Sequence, residues 1–143
     1  MDGKRTRKEL LKFKIATDDQ CTLCSNHDSV IHTFKECAVT TSIYSSALNW
    51  FNYTNNVSFN SSIEQILFHL KDVKSNLTTA QERRLDFLLL CTKQYIYACK
   101  IALKTPNTTE LKRKIETQWK IENVFQLIKL VCLRTLLLCF SYI

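Results

Sequence analysis

Glycine and proline are almost missing from this chain: the one glycine is Gly3 and the one proline is Pro106. Without internal glycine there is no phosphate-cradling P-loop, no dinucleotide-binding fingerprint and no nucleophile elbow. Each of these needs a backbone that approaches its ligand without a Cβ or adopts φ > 0. Sheets joined by tight primed turns are disfavoured on the same ground. The basic start, residues 1–8, leads into no apolar stretch of signal-peptide length. The sequons at Asn52, Asn56, Asn60, Asn76 and Asn107 therefore read as unused. An uninterrupted membrane span is also lacking. Residues 124–143 hold fifteen apolar side chains, but Lys129 and Arg134 fall near the middle. Each would cost roughly 2.5–3.5 kcal/mol inside a bilayer, and only nine uncharged residues follow Arg134, against the ~20 that a span needs.

What is present fits one mostly helical domain. The chain has 143 residues, 45% of them hydrophobic, and 20 Lys+Arg against 13 Asp+Glu, a net charge of +7. Seven cysteines are an odd number, which argues against a fully paired disulfide framework. The thiols read as reduced and the protein as cytoplasmic or nuclear.

The spacing predicts a short basic helix over 4–14, with Leu10, Leu11 and Phe13 as its apolar positions, broken by Asp18-Asp19-Gln20. Asp28 or Ser29 is placed to cap a helix through His32 and Phe34. Residues 38–63 carry no charge, and Ile43, Tyr44, Ala47, Leu48, Trp50 and Phe51 recur at helical spacing. Residues 52–62 read as a polar loop and 63–70 as a short amphipathic helix containing His69. Thr78-Thr79-Ala80-Gln81-Glu82 offers a capping box in two registers. Leu85, Leu88, Leu89, Tyr95, Ile96, Cys99 and Ala102 carry an apolar stripe from there to about Lys104. Pro106 ends that helix, and Asn107-Thr108-Thr109 caps the next, through Leu111, Ile115 and Trp119. The expected organisation is a basic helix and linker over 1–20, a zinc knuckle over 21–37, a helical domain over 38–123 and an apolar helix over 124–143. The fold class is all-α, with about four to five helices.

The chemistry lies in C-x2-C-x7-H-x4-C, formed by Cys21, Cys24, His32 and Cys37. Two cysteines two residues apart can wrap a turn so that both sulfurs reach one ion at ~2.3 Å, and His32 and Cys37 supply the other corners of a tetrahedron. Positions i and i+5 do not share an α-helical face, so the helix must bend or end between them. Three thiolates and one imidazole would close a structural Zn2+ site, one ion per chain, with no position left for a reactive water. The competing reading is four ordinary residues of a reduced core, and His27 competes with His32 as the ligand. Cys91 and Cys99, like Cys132 and Cys139, sit among Leu and Ile and read as core.

The run C-T-L-C, then seven residues, then H-T-F-K-E-C resembles the zinc-binding region downstream of the reverse transcriptase domain in LINE-type non-LTR retrotransposons. Asp28-Ser29 stands at that region's acidic position, and Phe34 and Glu36 fit its H-x-F-x-E-C form. Residues 10–15 are similar to its lead-in and Trp50-Phe51 to its later aromatic segment. Lys93-Gln94-Tyr95-Ile96-Tyr97-Ala98-Cys99-Lys100 is similar to its Lys-x-Tyr-Ile-Tyr-x-x-Lys stretch, with a proline-containing loop after it. The similarity covers residues ~8 to ~123, and the last twenty residues depart from the pattern. It implies an accessory RNA- or DNA-binding fragment of a polyprotein, not an enzyme. A polymerase palm needs an aromatic-x-Asp-Asp turn, whereas Ala16-Thr17-Asp18-Asp19 lacks the aromatic and reads as a linker.

Charge gives separate support. Six of the first fourteen residues are basic against two acids, and Lys4, Arg5, Arg7 and Lys8 are the expected phosphate contacts, non-specific and salt-dependent. Tyr44, Trp50, Phe51 and Tyr53 have the spacing of core, although each could stack a base. The alternatives are a zinc-stapled protein-interaction module, associating through 124–143, and a transposon remnant without selected function.

Overall fold

The structure is a computed structural model that describes residues 6–60 and 76–140, with side chains, Glu9 apart, as far as Gln126. Its elements are α1 (Arg7–Lys12), a π-helical turn (His32–Glu36), α2 (Ala38–Asn55), α3 (Thr79–Ile101) and α4 (Thr108–Phe140). The all-α expectation holds, and among the described residues the only β pairing is an isolated bridge between Gln20 and His27. The helix expected over 63–70 and His69 lie outside the described residues.

α2 buries the face predicted for it. Ile43, Tyr44, Ala47 and Phe51 are buried, while Leu48 and Trp50 pack at the edge of the core. α2 also runs further than expected, to Asn55. Asn56 then adopts φ 49°, and its N–H and that of Val57 bond the carbonyls of Tyr53 and Asn52. That is a Schellman stop, with Asn in the left-handed position. The side chain of Asn52 turns the chain back by bonding both backbone groups of Phe59.

α3 starts in the first of the two capping registers: the Thr78 hydroxyl accepts the Gln81 N–H, and the Gln81 side chain accepts the Thr78 N–H. Its buried stripe is Leu85, Leu88, Leu89, Cys91, Thr92, Tyr95, Ile96 and Cys99, and Ala102 falls outside it. A second Schellman stop follows, with Lys104 N–H on the Cys99 carbonyl and Leu103 N–H on that of Lys100. Here Leu103 takes the left-handed position at φ 53°, where a glycine would normally sit.

Asn107 caps α4 by accepting the N–H groups of Thr109 and Glu110. The Tyr95 hydroxyl pins this turn, accepting the Asn107 N–H at 2.9 Å and donating to the Glu110 carboxylate at 3.1 Å. Leu111 and Ile115 complete the core against α2 and α3. Each large side chain fully buried there contributes about 1.5–3 kcal/mol. Of the apolar helix expected over 124–143, residues 124–140 continue α4 with no break at 123, and 141–143 lie outside the described residues. Among the described residues no helix is long and apolar enough to cross a membrane.

Candidate metal centre

The first pair of sulfurs is set by a tight loop. Ser25 N–H bonds the Cys21 carbonyl at 2.8 Å, Cys21 N–H bonds the Asn26 carbonyl at 2.6 Å, and Asp28 N–H bonds the Asp19 carbonyl at 2.7 Å. Ser25 closes the turn at φ 63°. The second pair is set by a change of helical pitch. Ser29 is the capping residue, its hydroxyl accepting the His32 N–H at 3.0 Å. The backbone then winds as a π-helix, and the Cys37 N–H bonds the His32 carbonyl at 2.8 Å. This i→i+5 bond brings two residues that an α-helix would separate onto one side of the chain. The bend expected between His32 and Cys37 is this π-turn, which ends at Cys37, the N-cap of α2.

The ligand atoms of Cys21, Cys24, His32 and Cys37 all lie within 4.8 Å of one another. Cys24 Sγ is 3.1 Å from His32 Nε2. Cys21, Cys37 and His32 are buried, and Cys24 is partly exposed. A tetrahedron with metal–sulfur arms of about 2.3 Å has edges of about 3.8 Å, so the donors stand within about an ångström of that spacing. Burial, with the neighbouring Cys37 and Cys21, pushes the Cys24 thiol up to about 11. Burial also opposes ionisation of Cys37, but the Thr40 N–H and hydroxyl, then Cys24 and the Val39 N–H, outweigh it and hold this thiol below its usual range. Thr40 is fully buried, and its hydroxyl has no oxygen or nitrogen partner. That orphaned donor, one turn into α2, is suited to a metal-bound thiolate on Cys37. The donor set and its surroundings thus fit a divalent, thiophilic cation.

The loop is fastened to the core by charge. Asp28, 1% exposed, accepts the Arg7 N–H, the Thr33 hydroxyl and the Lys100 ammonium. Lys100 also donates to the Thr33 hydroxyl, and its carbonyl accepts from Thr22. Asp28 is therefore an ion-pair partner and not the helix cap. The Lys100 contact was missed in the sequence, although one signal was there. Lys100 continues the buried register of Thr92 and Ile96, where a charge needs a partner.

The other candidates fall elsewhere. His27 is half exposed and pairs with Asp19 through Nδ1 at 2.7 Å, so it is not in the cluster. The Arg7 guanidinium pairs with Asp18 at 3.1 Å, both partly exposed. Lys8 is exposed, and Lys4 and Arg5 lie outside the described residues. Cys91 and Cys99 are buried in the core, and Cys91 donates to the Gln118 side chain at 2.9 Å. The five cysteines described are all free thiols. Tyr44 and Phe51 are core, as their spacing predicts, but Tyr53 is 87% exposed. It lies one turn beyond Asn49 on the solvent side of α2, away from the face that carries Tyr44 and Phe51.

No protein-family model, curated protein or solved structure matches the chain. The resemblance to the retrotransposon region rests on the motif residues alone.

Proposed function

We propose that this chain is a zinc-stapled helical module that binds RNA or DNA without catalysing a reaction, as an accessory part of a retrotransposon-type reverse transcriptase polyprotein. The observation that carries this reading is the closed Cys3His donor set. Zinc would be held by Cys21, Cys24, His32 and Cys37 and would supply folding energy, because the protein offers four donors and leaves no position for a substrate. The charge of +7 supports a polyanionic partner. Among the described residues Lys112, Arg113 and Lys120 have no carboxylate partner, and they add to the basic run at Lys4, Arg5, Arg7 and Lys8. Free thiols accord with the cytoplasm or nucleus.

A mobility-shift titration over a range of salt tests this. Affinity should fall steeply with salt, and replacing Lys4, Arg5, Arg7 and Lys8 with Ala should lower the slope by up to about four phosphate contacts. An absence of binding at low salt would favour the second reading, a protein-interaction module. That reading draws on the exposure of Ile121, Val124 and Phe125 along α4. Such an apolar helix face seeks a partner, a second copy included.

A further inference from the structure

A shallow groove of about 360 Å³ lies between α2 and the start of α4, lined by Ser46, Asn49, Trp50, Tyr53, Thr108 and Lys112. We propose that it binds a single-stranded nucleic-acid segment, with one base stacked on Tyr53 and a neighbouring phosphate met by Lys112. The inference rests on the nucleic-acid reading above and gives it a site built from residues other than the basic N-terminal run.

Three observations carry it. First, Tyr53 is 87% exposed on the stripe Ser46, Asn49, Trp50 and Tyr53, spaced i, i+3, i+4 and i+7. A ring standing in solvent contributes nothing to the core, and it offers a flat face of the kind on which bases stack irrespective of sequence. Second, the groove has one charge and it is positive. α2 carries no ionisable acid or base other than its tyrosines and cap cysteine, so no carboxylate among the lining residues repels a phosphate. Among the described residues Lys112 has no carboxylate partner. Third, the remaining lining groups are hydroxyls and an amide on Ser46, Thr108 and Asn49, which both donate and accept and so tolerate any base edge or sugar. A duplex keeps its bases stacked on each other and cannot use an isolated ring in this way, which favours a single strand.

The test is fluorescence anisotropy of a short labelled oligo(dT), titrated with the full zinc-loaded chain. Tyr53→Ala should weaken binding about 5- to 100-fold, whereas Tyr53→Phe should stay within about twofold of wild type, since the ring and not the hydroxyl does the stacking. Lys112→Gln should lower the salt slope by about 0.7. Tyr53 is exposed, so circular dichroism should be unchanged in each variant. If the wild type binds oligo(dT) and Tyr53→Ala binds equally well, the groove is not the site, and the nucleic-acid reading survives elsewhere on the surface. If the wild type binds duplex DNA but not oligo(dT), the stacking proposal also fails. If it binds neither at low salt, this proposal and the nucleic-acid reading fall together.

Discussion

Lys100 Nζ, in the last turn of α3, lies 2.5 Å from Asp28 Oδ1, in the loop that follows Cys21 and Cys24, and the two side chains are 10% and 1% exposed. This pair joins the metal lobe to the helical core across 72 residues of sequence. Removing one member leaves the other charged and buried, which costs on the order of 3–5 kcal/mol.

Asp28→Asn and Lys100→Met should each lower the unfolding free energy of the zinc-loaded chain, read from urea titration, by that order, and the double variant should recover part of the loss. Near-neutral single variants would show that the pair does not fasten the lobe. The pH dependence has a definite sign. Burial opposes ionisation of Asp28, but Lys100, the Arg7 N–H and Thr33 hold its carboxyl below the ordinary 3.8. A carboxyl depressed by folding stabilises fully above its unfolded value and loses that effect as pH falls through the folded one. The stability difference between wild type and Asp28→Asn should therefore be equal at pH 7 and pH 5.5 and shrink only below about pH 4.

Thr40 supplies a second prediction. Its buried hydroxyl has no oxygen or nitrogen partner and is among the groups that lower the Cys37 thiol from its usual range. Thr40→Val keeps the shape and removes the donor. Zinc affinity, measured by competition with a chromogenic chelator, should fall about 10-fold or more, while the helix content of the loaded protein stays unchanged. Unaltered affinity would mean that this hydroxyl has no part in the site.

The near-absence of glycine yields a third. Leu103 is 73% exposed and sits at φ 53° in the Schellman stop of α3. Leu103→Gly should raise stability, by about 1 kcal/mol, because relief of left-handed strain outweighs glycine's greater freedom in the unfolded chain. Thermal or urea unfolding would register the gain, and a loss would mean that the Leu103 side chain holds the loop.

How much of this could be read beforehand divides along physical lines. That Cys21, Cys24, His32 and Cys37 cluster was legible because a tetrahedral ion would constrain residue type and spacing together, and the need for a bend between His32 and Cys37 followed from helical geometry alone. The bend's form did not, since no local preference announces a π-turn. The start of α3 was legible from Thr78 and Gln81, whose bond spans three residues. Its link to the metal loop was not, because Lys100 and Asp28 meet only in the folded chain. Tyr53 misled for a similar reason. It follows Tyr44, Trp50 and Phe51 in an uncharged segment, and periodicity places it on a face without saying whether anything covers that face. The end of α2 was misplaced because Asn56 stops the helix in the role usually given to glycine.

Elemental analysis of the purified chain measures whether the Cys3His cluster holds one structural zinc ion. Purified wild type should carry about one zinc per chain, lost in Cys24→Ser, with helical structure melting when a chelator strips the wild type, since binding and folding energy are shared. A wild-type chain that is metal-free and fully folded, with Cys24→Ser as stable as the parent, would contradict it.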